Sequence, residues 1–158
     1  MEINPHAPLV TRKEIFIQAS PEVVWNIHTN INGWHEWQPA ISKSHLDGTL
    51  TSGSVFTWVS GGLAITSRLQ EVVPQKRIGW TGRALGSRVK HIWMFRPQDG
   101  GTLVVTEESM EGWLIAILRL LMPHFLDKAL DVWIKNLKTK AEGKDTKSSF
   151  SSCHTKFG

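Results

Sequence analysis

"IFIQASPEVVWNIHTNINGWHEWQPAI", residues Ile15 to Ile41, decides how this chain is read. Its apolar start completes a strand that opens in "VTRKEIFIQA" (10–19), where polar and apolar residues alternate before the run turns apolar. Ser20 then suits a helix N-cap, Pro21 the first helical position, and Glu22 the positive end of the helix dipole. Val23, Val24 and Ile27 give this helix an apolar face. "NINGWHEWQPA" (30–40) reads as a second short helix bounded by Asn30 and Pro39. Trp34 and Trp37, three apart, share a face and are expected to close one end of a pocket, which leaves His35 and Glu36 exposed.

Outward from that stretch the period changes to two. "AISKSHLDG", "GSVFTWVS", "LAITSRLQEVVP", "RIGWTGRA", "SRVKHIWMFRP" and "GTLVVTEESM" are successive strand-like runs. The turn signals between them, such as "DGTLTSG", "LGS" and "PQDGG", are short, so the runs form an antiparallel meander. From Phe125 to Glu142 the period is helical again: Leu126, Leu130, Trp133, Leu137 and Ala141 recur on one face. Pro123 separates this long helix from "GWLIAILRLL". The expected fold class is α+β: a curved antiparallel sheet of about seven strands around a long C-terminal helix, with two short helices after the first strand. One domain spans 1–142, and the polar, Ser-rich stretch 143–158 reads as a flexible tail.

Composition narrows the function classes. The chain has 158 residues, 41% hydrophobic and 20% charged, with eight Trp and no Tyr. Tyrosine chemistry is therefore excluded. The net charge is +4, and Lys144, Lys147 and Lys156 against Asp145 place half of that excess in the tail. Arg83, Arg88 and Lys90 make only a small basic group at a hairpin end, so no nucleic-acid partner is expected. The single cysteine, Cys153, excludes an internal disulfide and a Cys-based zinc site. The seven His show no pair at i, i+4 spacing, so neither a metal nor a cofactor is expected. No secretory signal opens the chain and no apolar run is long enough for a transmembrane segment. A cytoplasmic location is expected.

The order of these stretches resembles the START-like, or Bet v 1-like, superfamily, and within it the SRPBCC proteins of polyketide cyclase/dehydrase type. The resemblance covers roughly residues 9–142. It rests on Ile15–Ile41, "GSVFTW", "ITSRLQEVVPQKRIGWTG", "HIWMF", "GGTLVVTEES" followed by Gly112, and "WIKNLKTKAE". It implies a helix-grip fold, in which the sheet grips the long helix around a hydrophobic pocket. It does not imply one activity, since such members include lipid and hormone carriers and aromatic polyketide cyclases.

Strand parity names the residues that face such a pocket. Phe56 and Trp58 share one face, as do Ile78 and Trp80. His91, Trp93 and Phe95 form a third set, and Thr106 and Glu108 lie on the last strand. Leu126, Leu130 and Trp133 come from the long helix. Glu107 and Glu108 point to opposite sides, so only Glu108 enters, and Arg68 faces solvent. A buried Glu108 calls for a partner such as His91. Two readings of His91 stand open: a general base with Glu108 or Thr106, or a half-buried imidazole hydrogen-bonded to Thr or Glu. The second is favoured, because nothing in the sequence pairs a base with an orienting group. On the other face of the same strand, Ile92 and Met94 need cover, expected from the short helices or a dimer partner.

Three functions fit these residues. The leading one is a binding module for a small hydrophobic or aromatic molecule, lipid or polyketide-like, with no cofactor. The second is a cyclase or dehydratase using His91 as acid/base. The third is a protein-interaction module, resembling START-like domains that regulate chaperones, using Trp113 to Met122. That segment equally suits a lid, a homodimer interface or a membrane contact.

Overall fold

A computed structural model describes residues 1–151, with side chains through residue 143. The expected tail, 143–158, lies for the most part outside those described side chains. The strands are β1 (Leu9–Ile17), β2 (Ile41–Asp47), β3 (Val55–Ser60), β4 (Leu63–Val73), β5 (Arg77–Ala84), β6 (Ser87–Gln98) and β7 (Gly101–Glu111). The helices are α1 (Pro21–Thr29), a 3₁₀ helix at Ile31–Glu36, α2 (Trp113–Leu121) and α3 (Phe125–Ser151). The seven strands form one antiparallel sheet in the order β1-β7-β6-β5-β4-β3-β2. The meander β2 to β7 follows from the short turns. The pairing of β1 with β7 does not, because those strands are the first and last of the sheet in sequence.

Ser20 caps α1 as its sequence suggests: Val23 N–H donates to Ser20 Oγ at 3.3 Å. The face that α1 buries is Val24, Trp25, Ile27 and His28. It is rotated from the expected one, since Val23 is only half-buried and His28 takes its place. On α3, Leu126, Leu130, Trp133, Ile134, Leu137 and Ala141 are buried. Each large apolar side chain on this face contributes about 1.5–3 kcal/mol by leaving water. Polar contacts fix the line of α3 along β1. Lys13 Nζ reaches Asp127 at 2.8 Å and Asp131 at 3.3 Å. Lys138 Nζ donates to the Phe16 carbonyl at 2.6 Å, and Gln18 N–H donates to Glu142 Oε1 at 2.9 Å.

The cover over the outer face of β6 differs from expectation. Ile92 is buried, but α1 packs against the opposite face. Residues at the chain start do the work instead. A Cβ built on Gly79 would lie 3.0 Å from Met1 Sδ and 3.6 Å from Ile92 Cγ1, so Met1 and Ile92 flank the same small site. Asn4 N–H donates to Ser109 Oγ at 3.0 Å, and Asn4 Nδ2 to Glu111 Oε2 at 3.1 Å. Arg77 donates to the Met1 carbonyl. A segment with no helical or strand period carries no sequence signal for such a role, and only the tertiary fold assigns it.

The corner between β7 and α2 depends on one glycine. Gly112 has φ +123°, and a Cβ there would sit 2.2 Å from the Gly86 carbonyl oxygen. Gly112→Ala combines a disfavoured backbone with a clash against backbone that cannot swing aside. The expected cost is about 2–4 kcal/mol, or roughly 5–15 °C in Tm by differential scanning calorimetry. An unchanged Tm would show that this corner relaxes freely. Beyond it, α2 buries Ile115 and exposes Trp113, Ile117, Leu120 and Leu121. Among the described residues no helix is long and apolar enough to cross a membrane.

Candidate functional site

The strand register sets the site. Across β5, β6 and β7, Trp80 pairs with His91 and His91 with Glu108; Ile78 pairs with Trp93 and Trp93 with Thr106. These residues therefore share the concave face, toward α1 and α3. His91 and Glu108 stand directly opposite each other, yet the hydrogen bond of His91 runs diagonally. Its Nε2 and Thr106 Oγ1 are 2.8 Å apart, and the tautomer decides which donates. His91 Nδ1 lies 3.6 Å from Glu108 Oε2, beyond hydrogen-bond reach.

Burial decides the charge of this group. Glu108 is pushed up from 4.5 to about 8 by loss of solvent. His91 is held well below 6.5, first by burial and then by the nearness of His28. At pH 7 the pair is therefore a neutral carboxylic acid beside a neutral imidazole, not an ion pair. A neutral acid can donate a proton and a neutral imidazole can accept one, so the two opposite chemistries stand side by side.

Aromatic rings fill the space beneath α3. Trp80 meets His91 at 4.7 Å between ring centroids, His91 meets Trp93 at 5.3 Å, and Trp93 meets Trp133 at 5.9 Å. Trp58 meets Trp133 at 5.5 Å, and Phe56 meets Trp80 at 5.7 Å. Most contacts are edge-to-face or tilted, the arrangement favoured by ring quadrupoles. Of the expected pocket residues, Phe56, Trp80, His91, Trp93, Phe95, Thr106, Glu108, Leu126, Leu130 and Trp133 are buried, and Trp58 is half-buried. Glu107 faces outward to Arg12, and exposed Arg68 donates to the Gly53 carbonyl. A separate open groove of about 520 Å³ runs along β2, β3 and β4 and includes only Trp58 of that set.

Two residues are more central to this interior than expected: Trp34, expected only to close one end of the pocket, and His28, not expected there at all. Trp34, fully buried, touches Phe56, Trp58, Trp80 and Trp133, and its Nε1 donates to the His28 carbonyl at 2.7 Å. His28 packs 4.5 Å from Trp93 and 6.0 Å from Trp80. A signal existed for His28, since it follows Val24 by four residues and so belongs to the same helical face. Burial lowers His28 from 6.5 to about 3, so it is neutral. Both His28 ring nitrogens, Trp93 Nε1 and Trp133 Nε1 are buried with no hydrogen-bond partner among the described residues. No group of three or more His, Cys, Asp or Glu able to hold a metal occurs among them either.

With this geometry established, the chain can be compared with known proteins. Its fold is similar to a hypothetical protein of Helicobacter pylori, with TM-score 0.78 and 17% identity over 88% of this chain and 91% of that one. It is similar to the Zhui aromatase/cyclase of Streptomyces sp. R1128, with TM-score 0.75 and 14% identity over 85% of this chain and 93% of that one. A START superfamily protein of Mycobacterium smegmatis gives TM-score 0.72 and 15% identity over 85% and 97%. At such identities the likeness concerns the fold, which is the helix-grip arrangement. No curated protein matches the chain in sequence. Residues 9–142 match the family described as polyketide cyclase / dehydrase and lipid transport. A sheet of seven antiparallel strands closed over one long helix, matched along nearly its whole length, shows that the chain belongs to that family.

Proposed function

We propose that the chain binds a small hydrophobic or aromatic molecule between the concave face of the sheet and α3, without a cofactor. The observation that carries this reading is the set of nitrogens on His28, Trp93 and Trp133 that have no partner among the described residues, inside an interior lined mainly by aromatic and aliphatic side chains. Each buried polar group without a partner costs about 1–3 kcal/mol, and a bound molecule that pairs with these groups removes that cost. The aromatic neighbours supply shape and apolar area. Family membership supports the same reading. Trp58, the half-buried member, stands nearest solvent.

Native mass spectrometry against fatty acids, sterols and aromatic polyketides tests this. A one-to-one complex with at least one class is expected. No complex with any of them, together with a crystallographic interior that stays filled by its own rings, would refute it.

A second reading, an enzyme of cyclase or dehydratase type, is favoured by the neutral His91 and Glu108 set opposite each other. Replacement of His91 by Phe separates the two. In an enzyme, turnover falls by about 10²–10⁴-fold, the usual contribution of one acid/base group, while ligand affinity is kept. In a carrier, affinity alone changes. That substitution also leaves Thr106 Oγ1 without its imidazole partner, so circular dichroism must first show the native fold.

A further inference from the structure

Among the described residues ten large apolar side chains are exposed, and six of them gather at one end of the molecule. Trp113, Ile117, Leu120, Leu121 and Met122 come from α2 and its end, and Leu85 from the β5–β6 turn. Leu120 is 83% exposed and Leu121 73%. Trp113, Ile117, Leu120 and Leu121 follow at steps of four, three and one. That puts them on one face of the helix, opposite buried Ile115. The turn and the helix meet directly. A Cβ built on Gly86 would lie 2.4 Å from the Trp113 ring, and Leu114 N–H donates to the Gly86 carbonyl at 3.2 Å. Leu85 therefore stands beside the start of the apolar face of α2.

The charge around this surface has one sign. From Gly112 to Leu126 the only charged residue is Arg119. Arg83 and Arg88 stand directly opposite each other in the β5–β6 register, and with Trp113 they line a groove of about 400 Å³. Like charges so placed repel each other. Lys90 lies on the same face of β6, two residues along from Arg88. The nearby acids are already held: Glu111 by Arg88 at 3.2 Å and by Asn4, and Asp127 by Lys13 at 2.8 Å. Arg83, Lys90 and Arg119 have no ion pair among the described residues.

An apolar face bordered by unpaired cations matches an anionic lipid surface. Apolar side chains enter the acyl boundary while guanidinium and ammonium groups meet phosphate, and Trp favours the level between them. A second copy matches less well. A two-fold dimer sets this surface against itself, and α2 brings Arg119 but no acid to meet it. We propose that this end of the molecule docks on a membrane surface bearing anionic phospholipids, with α2 and Leu85 entering the lipid and Arg83, Lys90 and Arg119 meeting headgroup phosphates. Docking concerns the outer surface and does not depend on what the interior holds.

Cosedimentation of the full chain with two kinds of vesicle at pH 7 tests this: phosphatidylcholine alone, and phosphatidylcholine with about a third phosphatidylglycerol. Binding to the mixed vesicles is expected to be at least about tenfold tighter, and to weaken as salt rises from about 0.1 to about 0.5 M. Leu120→Asp and Leu121→Asp, both at exposed positions, abolish binding and leave the thermal melt unchanged. Replacing Arg83 and Lys90 together by Gln costs about fivefold per cation, so roughly 25-fold on the mixed vesicles. Binding to neither vesicle, equal binding to both, or wild-type binding by the aspartate variants overturns the proposal. So does a dimer in light scattering that Leu120→Asp dissolves, since a second copy then covers the face. Glycerol phosphate separates a lipid from a free anion. It is expected to displace the chain no more than chloride of equal ionic strength, and stronger displacement would assign the cations to a soluble phosphate instead. The comparison of the two vesicles needs no variant to fold.

Discussion

Thermal stability peaks near pH 6.5 and declines on both sides. The alkaline decline belongs to Glu108. Its folded value is raised from 4.5 to about 8 by burial, so between those values the unfolded chain releases a proton that the folded chain keeps. Stability from this group is fully present below pH 4.5 and is lost as pH rises through 8. The slope is about 1.4 kcal/mol per pH unit, and the total is on the order of 5 kcal/mol. The acid decline belongs to the imidazoles. His28 is lowered to about 3 and His91 well below 6.5, so below pH 6.5 the unfolded chain takes up protons that the folded interior refuses. Between pH 4.5 and 6.5 His28 alone offsets the slope of the carboxyl, and the lowered His91 tips the balance so that net stability rises toward 6.5. Melting temperatures from pH 4.5 to 9 read this profile directly. Glu108→Gln should flatten the alkaline limb and leave this variant more stable than wild type at pH 9. His28→Phe should make the acid limb shallower. An alkaline limb that survives in Glu108→Gln would mean that another group titrates there.

Trp34→Ala should bring the protein close to unfolding at physiological temperature. Trp34 is fully exposed to its neighbours and not to water: it touches His28, Phe56, Trp58, Trp80 and Trp133. Removing a buried Trp costs about 3–5 kcal/mol in lost transfer energy and cavity formation. The His28 carbonyl also loses its donor, which adds roughly 1 kcal/mol or more. A domain of this kind holds about 5–15 kcal/mol in all. Urea unfolding should therefore show a midpoint at a third to two-thirds of the wild-type value, about that share of the total. Trp34→Phe keeps a ring and should lose less than half as much. Equal losses for the two variants would place the cost in the indole N–H bond alone.

Most of the architecture could be read from local patterns. Ser20, Pro21 and Glu22 start α1 through backbone chemistry that acts within one turn. The alternation in β3 to β7 and the short turns between them set the meander. The spacing of Leu126, Leu130, Trp133, Leu137 and Ala141 set the buried face of α3. The site was less legible. Parity placed His91, Trp93, Phe95, Thr106 and Glu108 on one face, but not which pairs touch. His91 bonds to Thr106 diagonally and stands off from Glu108, because side-chain reach and ring packing, rather than strand register alone, choose the partner.

Sequence by itself determined the elements and their inward faces, since both depend on interactions within a few residues along the chain. Three features needed the tertiary structure. β1 pairs with β7, the first strand in sequence with the last. Met1 flanks Ile92 beside Gly79, and Asn4 ties the chain start to Ser109, although residues 1–4 carry no periodic pattern. His28 from α1 meets Trp93 from β6, and its ring nitrogens find no partner among the described residues. Each of these joins segments far apart in sequence, and burial, which sets both the partners and the protonation states, is a property of the assembled layers.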